Sequence, residues 1–188
     1  VSGVATFSGL GKTGVIGSKT LTFATGALTS ATQSFTLTHG VATQVSVSAS
    51  ATSASAVALT TQPVATIQDA DGNTVTTSTA SIAVTSSVGN SAVLSGNSTP
   101  ATATSGVATF SGLKLTGLVG DYTLTYASTG LTSATETVTL LPGAATKLAV
   151  TRASAGIVNR VAFTTQPRVT VQDADGNTVT TSTASIAV

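Results

Sequence analysis

The chain has 188 residues, a formal net charge of +1 and charged residues at only 7%, which excludes a basic nucleic-acid interface, a polybasic membrane anchor and long-range electrostatic steering. Cysteine is absent, so disulfide staples, thiolate catalysis and cysteine metal sites are excluded as well. The mean hydropathy of +0.42 belongs to alternating segments, because no apolar run approaches the ~18 residues that a spanning helix needs.

Trp and Met are absent and aromatics make up 4%, so the core is expected to rest on Val, Ala, Leu and Ile. The abundant Thr and Ser suit strands with one solvated, β-branched face, and no long helix is expected.

The segment Thr60-Thr61-Gln62-Pro63 through Gln68-Asp69-Ala70-Asp71-Gly72-Asn73-Thr74-Val75 to Val84 recurs almost unchanged from Thr164 to Val188, an offset of 104. Gly3-Val4-Ala5-Thr6-Phe7-Ser8-Gly9-Leu10 recurs as Gly106-Val107-Ala108-Thr109-Phe110-Ser111-Gly112-Leu113, an offset of 103. A repeat of this size is a whole domain. The copies divide the chain into the back part of one unit (1–41), a complete unit (42–144) and the front part of a third (145–188).

In chain order, the complete unit is expected to form strands over Val45 to Ser50, Ala56 to Thr60 and Val64 to Ile67. Further strands are expected over Ser81 to Val84, Ala92 to Leu94, Val107 to Phe110, Asp121 to Tyr126 and Thr135 to Leu140. In the last hairpin Tyr122, Leu124 and Tyr126 share one face, while Thr123 and Thr125 share the other. Ala65 and Ile67 likewise oppose Val64 and Thr66. In the third unit the outward position of Val64 is taken by Arg168, with Val169 and Val171 facing in. About seven short strands separated by Gly, Pro, Asn and Ser predict an antiparallel β-sandwich, with a closed barrel as the structural alternative. Leu141-Pro142-Gly143-Ala144, and Thr38-His39-Gly40-Val41 before it, are short links that predict a semi-rigid stack of units.

The motif Ile67-Gln68-Asp69-Ala70-Asp71-Gly72-Asn73-Thr74-Val75, followed by Gly106-Val107-Ala108-Thr109-Phe110 and Gly120-Asp121-Tyr122-Thr123-Leu124, resembles the bacterial immunoglobulin-like tandem repeats. These occur in invasin- and intimin-type adhesins and in giant bacterial surface proteins. Thr74 and Thr178 stand where a Pro is common in that family. The resemblance implies tandem immunoglobulin-like sandwiches, an extracellular or cell-surface location, and work as spacer and scaffold.

Asp69, Asp71 and Asn73, repeated as Asp173, Asp175 and Asn177, set three oxygen-bearing side chains within five residues. Such a set suits either a calcium ion, the one cofactor considered, or a tight turn in which Gly and Asn take positive φ and the side chains bond locally. The spacing departs from a helix–loop–helix calcium loop, since Gly72 is fourth and the twelfth position is Ala80.

No catalytic site is expected. The single histidine, His39, aligns with Pro142 at a unit junction, and Asp121 and Glu136 align with Ser18 and Gln33. Lys114 and Lys147 are read as solvated lysines rather than isopeptide donors, and Asn97-Ser98-Thr99 is a lone glycosylation sequon. Few charged residues guard the strand edges against pairing with other chains.

Val188 aligns with Val84 and Val1 with Thr104, so the two partial units together lack only the counterpart of Thr85 to Ala103. The units are expected either to belong to a longer array or to complete one another head to tail between copies, as a homopolymer. The expected function is a structural repeat of an extracellular bacterial surface protein or fibre, with no direct membrane insertion. The alternative is an adhesin whose loops bind a host receptor or glycan.

Overall fold

A computed structural model describes residues 3–48, 52–87, 92–96 and 100–188. It is all-β and forms antiparallel β-sandwich architecture, with no helix among the described residues. The strands are β1 (Gly17–Thr25), β2 (Leu28–Leu37), β3 (Gln44–Ser48), β4 (Thr52–Ala54), β5 (Val64–Gln68), β6 (Ser81–Ser86) and β7 (Val93–Ser95). They continue with β8 (Ala101–Thr102), β9 (Val107–Thr109), β10 (Lys114–Thr116), β11 (Gly120–Ala127), β12 (Ala134–Leu141), β13 (Lys147–Arg152) and β14 (Arg168–Gln172).

Between residues 42 and 144 one sheet has the order β3-β5-β9 and another the order β4-β12-β11-β6-β8, with β7 and β10 paired beside them. Among the described residues, the β4 to β12 strand pair alone is parallel. The core lies between the sheets. Alternation delivers Ala65 and Ile67 from β5, Ile82 and Val84 from β6, Tyr122, Leu124 and Tyr126 from β11, and Val138 and Leu140 from β12, all buried. Phe110 meets Tyr126 edge to face, with ring centroids 5.4 Å apart, so the few aromatics are concentrated at the centre of an otherwise aliphatic core. The expected faces hold in β11, where Thr123 is exposed behind Tyr122; in β14 Arg168 is exposed, but Val169, Thr170 and Val171 are all half-buried.

Among the described residues this region has ten strands, against about seven expected. Strands β4, β8 and β10 are two or three residues long, too short to show alternation. The segment Ala56 to Thr60 forms no continuous strand. Ala58 makes only an isolated bridge to Lys114, flanked by the bonds Ala56 N to Leu115 O at 2.9 Å and Leu59 N to Leu113 O at 2.8 Å, and the Gln62 side chain adds to them by donating to Leu59 O at 2.8 Å and accepting from Leu113 N at 2.8 Å. The strand expected over Val45 to Ser50 is β3 where it is described, and residues 49–50 lie outside the described residues. The Asn97-Ser98-Thr99 sequon also lies outside them.

The flanking regions repeat parts of this plan. Strands β13 and β14 pair as β3 and β5 do, with Lys147 opposite Gln172 as Gln44 is opposite Gln68. Strands β1 and β2 form a hairpin like that of β11 and β12, with Phe23 opposite Ala31 as Tyr126 is opposite Ala134. Phe7 and Phe23, the counterparts of Phe110 and Tyr126, also touch, at 5.3 Å between centroids.

Candidate interrepeat junction

Each Asp-Ala-Asp-Gly-Asn segment is a turn that leaves a strand end, β5 or β14. Asp69 N donates to Asn73 O at 2.9 Å and Gly72 N to Asp69 O at 3.1 Å. Gly72 and Gly176 sit at φ +81° and +93°, a left-handed conformation that a Cβ would strain. Asn73 and Asn177 are not in that conformation; their side chains serve another purpose.

The Asp69 carboxylate organises the turn from inside. Its Oδ1 accepts from Asp71 N at 3.0 Å and Asn73 N at 2.9 Å, and its Oδ2 accepts from Asn73 Nδ2 at 3.0 Å. It also reaches outward, because Oδ2 accepts from Gly40 N at 2.8 Å in the link that precedes β3. The Asn73 side chain, held by Asp69, bonds a stretch some sixty residues earlier in the chain: Nδ2 donates to Gly14 O at 3.1 Å, and Oδ1 accepts from Ile16 N at 3.0 Å.

The second copy repeats this arrangement contact for contact. Asp173 Oδ2 accepts from Gly143 N at 2.8 Å and from Asn177 Nδ2 at 2.8 Å. Asn177 Nδ2 donates to Gly117 O at 2.9 Å, and its Oδ1 accepts from Val119 N at 2.9 Å. Gly117, Val119 and Gly143 are the 103-offset counterparts of Gly14, Ile16 and Gly40. Gln44 Nε2 and Lys147 Nζ, at counterpart positions, brace neighbouring carbonyls of the two turns, donating to Asp69 O at 3.2 Å and Ala174 O at 2.9 Å respectively.

A further contact appears at the second junction. Ser55, only 3% exposed, donates from Oγ to Asp175 Oδ2 at 2.6 Å while accepting from Gly117 N at 3.0 Å. Gly143 is required by proximity here: a Cβ on it would lie 2.8 Å from Ser55 O. Asp69, Asn73, Asp173 and Asn177 are all buried, which is tolerable only because their polar atoms are bonded.

The electrostatics follow from these donors. The Gly40 N–H, followed by the Asn73 side chain and the Asn73 and Asp71 amides, outweighs burial and holds the Asp69 carboxyl down at about 2. Burial pushes Asp173 upward, but the Asn177 side chain and the amides of Gly143, Asn177 and Asp175 together carry it below the ordinary value.

The six residues considered for calcium therefore divide. Asp69 and Asn73, like Asp173 and Asn177, come together and are engaged by N–H donors, whereas Asp175 turns to Ser55 and Asp71 offers its amide. Among the described residues no three acidic or histidine side chains converge on a point that would suit a metal.

The residues weighed for catalysis stand apart. His39 is half-buried in the link, its Nδ1 2.9 Å from Gly40 O. Asp121 lies on the outer face of β11, accepting from Thr139 Oγ1 at 2.6 Å. Glu136 lies on the inner face of β12, where it accepts a hydrogen bond from the Tyr126 hydroxyl. Opposite faces of one sheet keep these two carboxylates from acting on a common substrate. Sequence reasoning did not single out Ser55, Gly117 or Val119. The usable signal was the strict repetition of Asp-Ala-Asp-Gly-Asn with a short link before it.

No family model matches the chain and no curated protein matches it. Among solved structures, the S-layer protein SbsC is similar over 88% of this chain and 21% of its own, at 20% identity and a TM-score of 0.39. Domains 4–9 of SbsC are similar at 20% identity and a TM-score of 0.40, over 88% of this chain and 25% of theirs. A β-glucuronidase of Parabacteroides merdae is similar over 60% of this chain and 14% of its own, at 16% identity and a TM-score of 0.41. The chain thus spans a quarter or less of these proteins, and likenesses this distant say nothing of what it does. No helix among the described residues is long and apolar enough to cross a membrane.

Proposed function

We propose that this chain is a structural repeat segment of an extracellular bacterial surface protein or fibre. In this reading residues 1–41, 42–144 and 145–188 belong to three successive immunoglobulin-like units, held as a semi-rigid array by the Asp-Asn turns. The observation that carries the reading is the junction. Two turns 104 residues apart make the same hydrogen bonds to the counterpart backbone atoms of the preceding unit. A contact that recurs with the repeat is what an array built for length and stiffness requires. The extracellular bacterial setting rests on the resemblance to bacterial immunoglobulin-like repeats.

The adhesin reading is weaker. The cavities beside the two turns, about 210 and 280 Å³, are bordered by small and polar residues such as Thr13, Gly14, Ser55 and Gly143, without the Trp, Tyr and Arg anchors that dominate binding hot spots. Electron microscopy of the native particle tests the proposal. Rods with an axial repeat of one unit support it, and a thin flexible tether ending in a distinct head overturns it in favour of the adhesin.

A further inference from the structure

All three arginines of the chain lie between residues 152 and 168, and two of them are set directly opposite one another, Arg152 on β13 and Arg168 on β14. Opposite residues of an antiparallel pair share a face with Cβ atoms about 5 Å apart, and like charges so placed are destabilising. The complete unit has the uncharged pair Ser48 and Val64 at this place.

A one-residue insertion creates the arginine pair. Lys147 lies 103 residues after Gln44, whereas Arg168 lies 104 after Val64. The register absorbs the extra residue between Val150 and Arg152, as a bulge at Thr151, while β3 and β5 pair without a break. In an unbroken register Thr151 would face Arg168 and Arg152 would face Pro167. The bulge re-aims the strand, and the result is one arginine opposite another.

The surrounding bonds hold this arrangement. Thr151 Oγ1 donates to Arg168 O at 3.3 Å, and Arg152 Nε donates to Gln166 O at 2.9 Å. A guanidinium held through Nε still presents the fork of its Nη groups. Gln166 Nε2 donates to Phe163 O at 3.0 Å as Gln62 Nε2 donates to Leu59 O at 2.8 Å, so the turn that carries Gln166 copies the complete unit. Ser48 and Val64 lie on the outer side of the β3-β5-β9 sheet, behind the buried Ala65 and Ile67. Arg152 and Arg168 are exposed on the counterpart outer side, which faces away from the core in the complete sandwich as well.

The neighbouring carboxylates are committed elsewhere. The two acids of residues 145–188, Asp173 and Asp175, lie past the other end of β14, about 16 Å or more from Arg168 along an extended strand. Asp173 accepts from Gly143 N and Asn177 Nδ2, and Asp175 accepts from Ser55 Oγ. In the complete unit Asp69 holds its own turn, Asp121 accepts from Thr139 and Glu136 accepts from Tyr126.

We infer that Arg152 and Arg168 form a binding site for an oxyanion of the phosphate type on the outer face of β13 and β14. Planar guanidinium forks match an anion with several acceptor oxygens, and one such anion between them cancels the cross-strand repulsion. The site goes beyond the array proposal, giving the array a place to hold free phosphate or a phosphate ester borne on a polymer. Two arginines make a local site only, in keeping with the low charge of the chain.

Magnetic resonance of the arginine Nε–Hε groups in the 188-residue polypeptide tests this, with inorganic phosphate and, separately, dimethyl phosphate titrated at constant ionic strength set by sodium chloride. The expected result is saturable shifts at Arg152 and Arg168, with Arg160 unmoved at the exposed turn closed by Val161 N to Val158 O at 3.0 Å. Saturation by inorganic phosphate alone assigns the site to the free anion, and saturation by the diester as well assigns it to a polymer-borne ester. Arg152→Ser and Arg168→Val install the residues of the complete unit and should each weaken binding about tenfold or more. Arg160→Asn removes the same charge and should leave binding unchanged. Circular dichroism melting checks that each variant stays folded. An absence of saturable shifts overturns the inference, as does Arg160→Asn weakening binding as much as Arg168→Val. Either failure leaves the junction reading standing, because the bonds of Asn73 and Asn177 involve neither arginine.

Discussion

Replacing Asn177 with Ala removes three hydrogen bonds at once: to Asp173 Oδ2, to Gly117 O and from Val119 N. The bond to a carboxylate contributes about 1.5–3 kcal/mol and each neutral bond about 0.5–1.5 kcal/mol. The sum is roughly 2.5–6 kcal/mol, and water reaching the vacated backbone groups at this partly buried site reduces it to about 2–4 kcal/mol. That energy should appear as local opening of the Asp173–Val179 turn together with its release from the preceding unit. Amide hydrogen exchange reads it directly, since each 1.4 kcal/mol is a factor of ten. Exchange of the Asp173 and Val179 amides, bonded to Asn177 O and Val171 O, should accelerate by about thirtyfold or more. Amides of β11 and β12 that face away from the junction should be unaffected. Equal rates at Asp173 and Val179 in the two proteins would refute the reasoning, because the side chain would then be a decoration of a turn that holds itself.

Three further outcomes follow from the same contacts. The Asp69 carboxyl is held at about 2, below its ordinary 3.8, so its stabilisation is complete above about pH 4 and is lost as pH falls through about 2; the Gly40 amide shift should titrate with a midpoint near 2, and a midpoint near 3.8 contradicts the bond. Tyr126→Phe strips a donor from the buried Glu136 and should cost about 1–3 kcal/mol, read as a lower melting temperature. Adding Glu136→Gln should recover part of the loss, since Phe23 and Gln33 occupy these positions in the first copy, and strictly additive losses argue otherwise. Calcium would have to displace the amides of Gly40 and Asn73 from Asp69, so a calcium titration should leave the melting temperature unchanged, and a rise would restore calcium to the site.

Much of the fold is legible because strands such as β11 and β12 bury one face, and period-two alternation records that burial letter by letter. The short strands β4, β8 and β10 are not legible, since two or three residues hold no period. Residues Ala56 to Thr60 mislead for a different reason. Val57, Ala58 and Leu59 read as strand, yet Val57 is exposed while Leu59 is buried, and the Gln62 side chain, remote from any strand propensity, completes the bonding. The junction was half legible. Asp-Gly marks the turn through glycine's conformational freedom, but the groups that Asn73 and Asn177 grip are backbone amides and carbonyls of Gly14, Ile16, Gly117 and Val119. Backbone groups are present at every residue, so no side-chain pattern announces which ones will be used.

In the proposed array the Asp-Asn turn fixes the orientation of successive units. The absence of cysteine allows spin labels to be placed at Thr137→Cys and Thr180→Cys, both exposed and on either side of the second junction. Pulsed electron–electron distance measurement on this doubly labelled chain should give one narrow distribution that broadens when Asn177→Ala is added. A broad distribution with Asn177 in place would contradict the account.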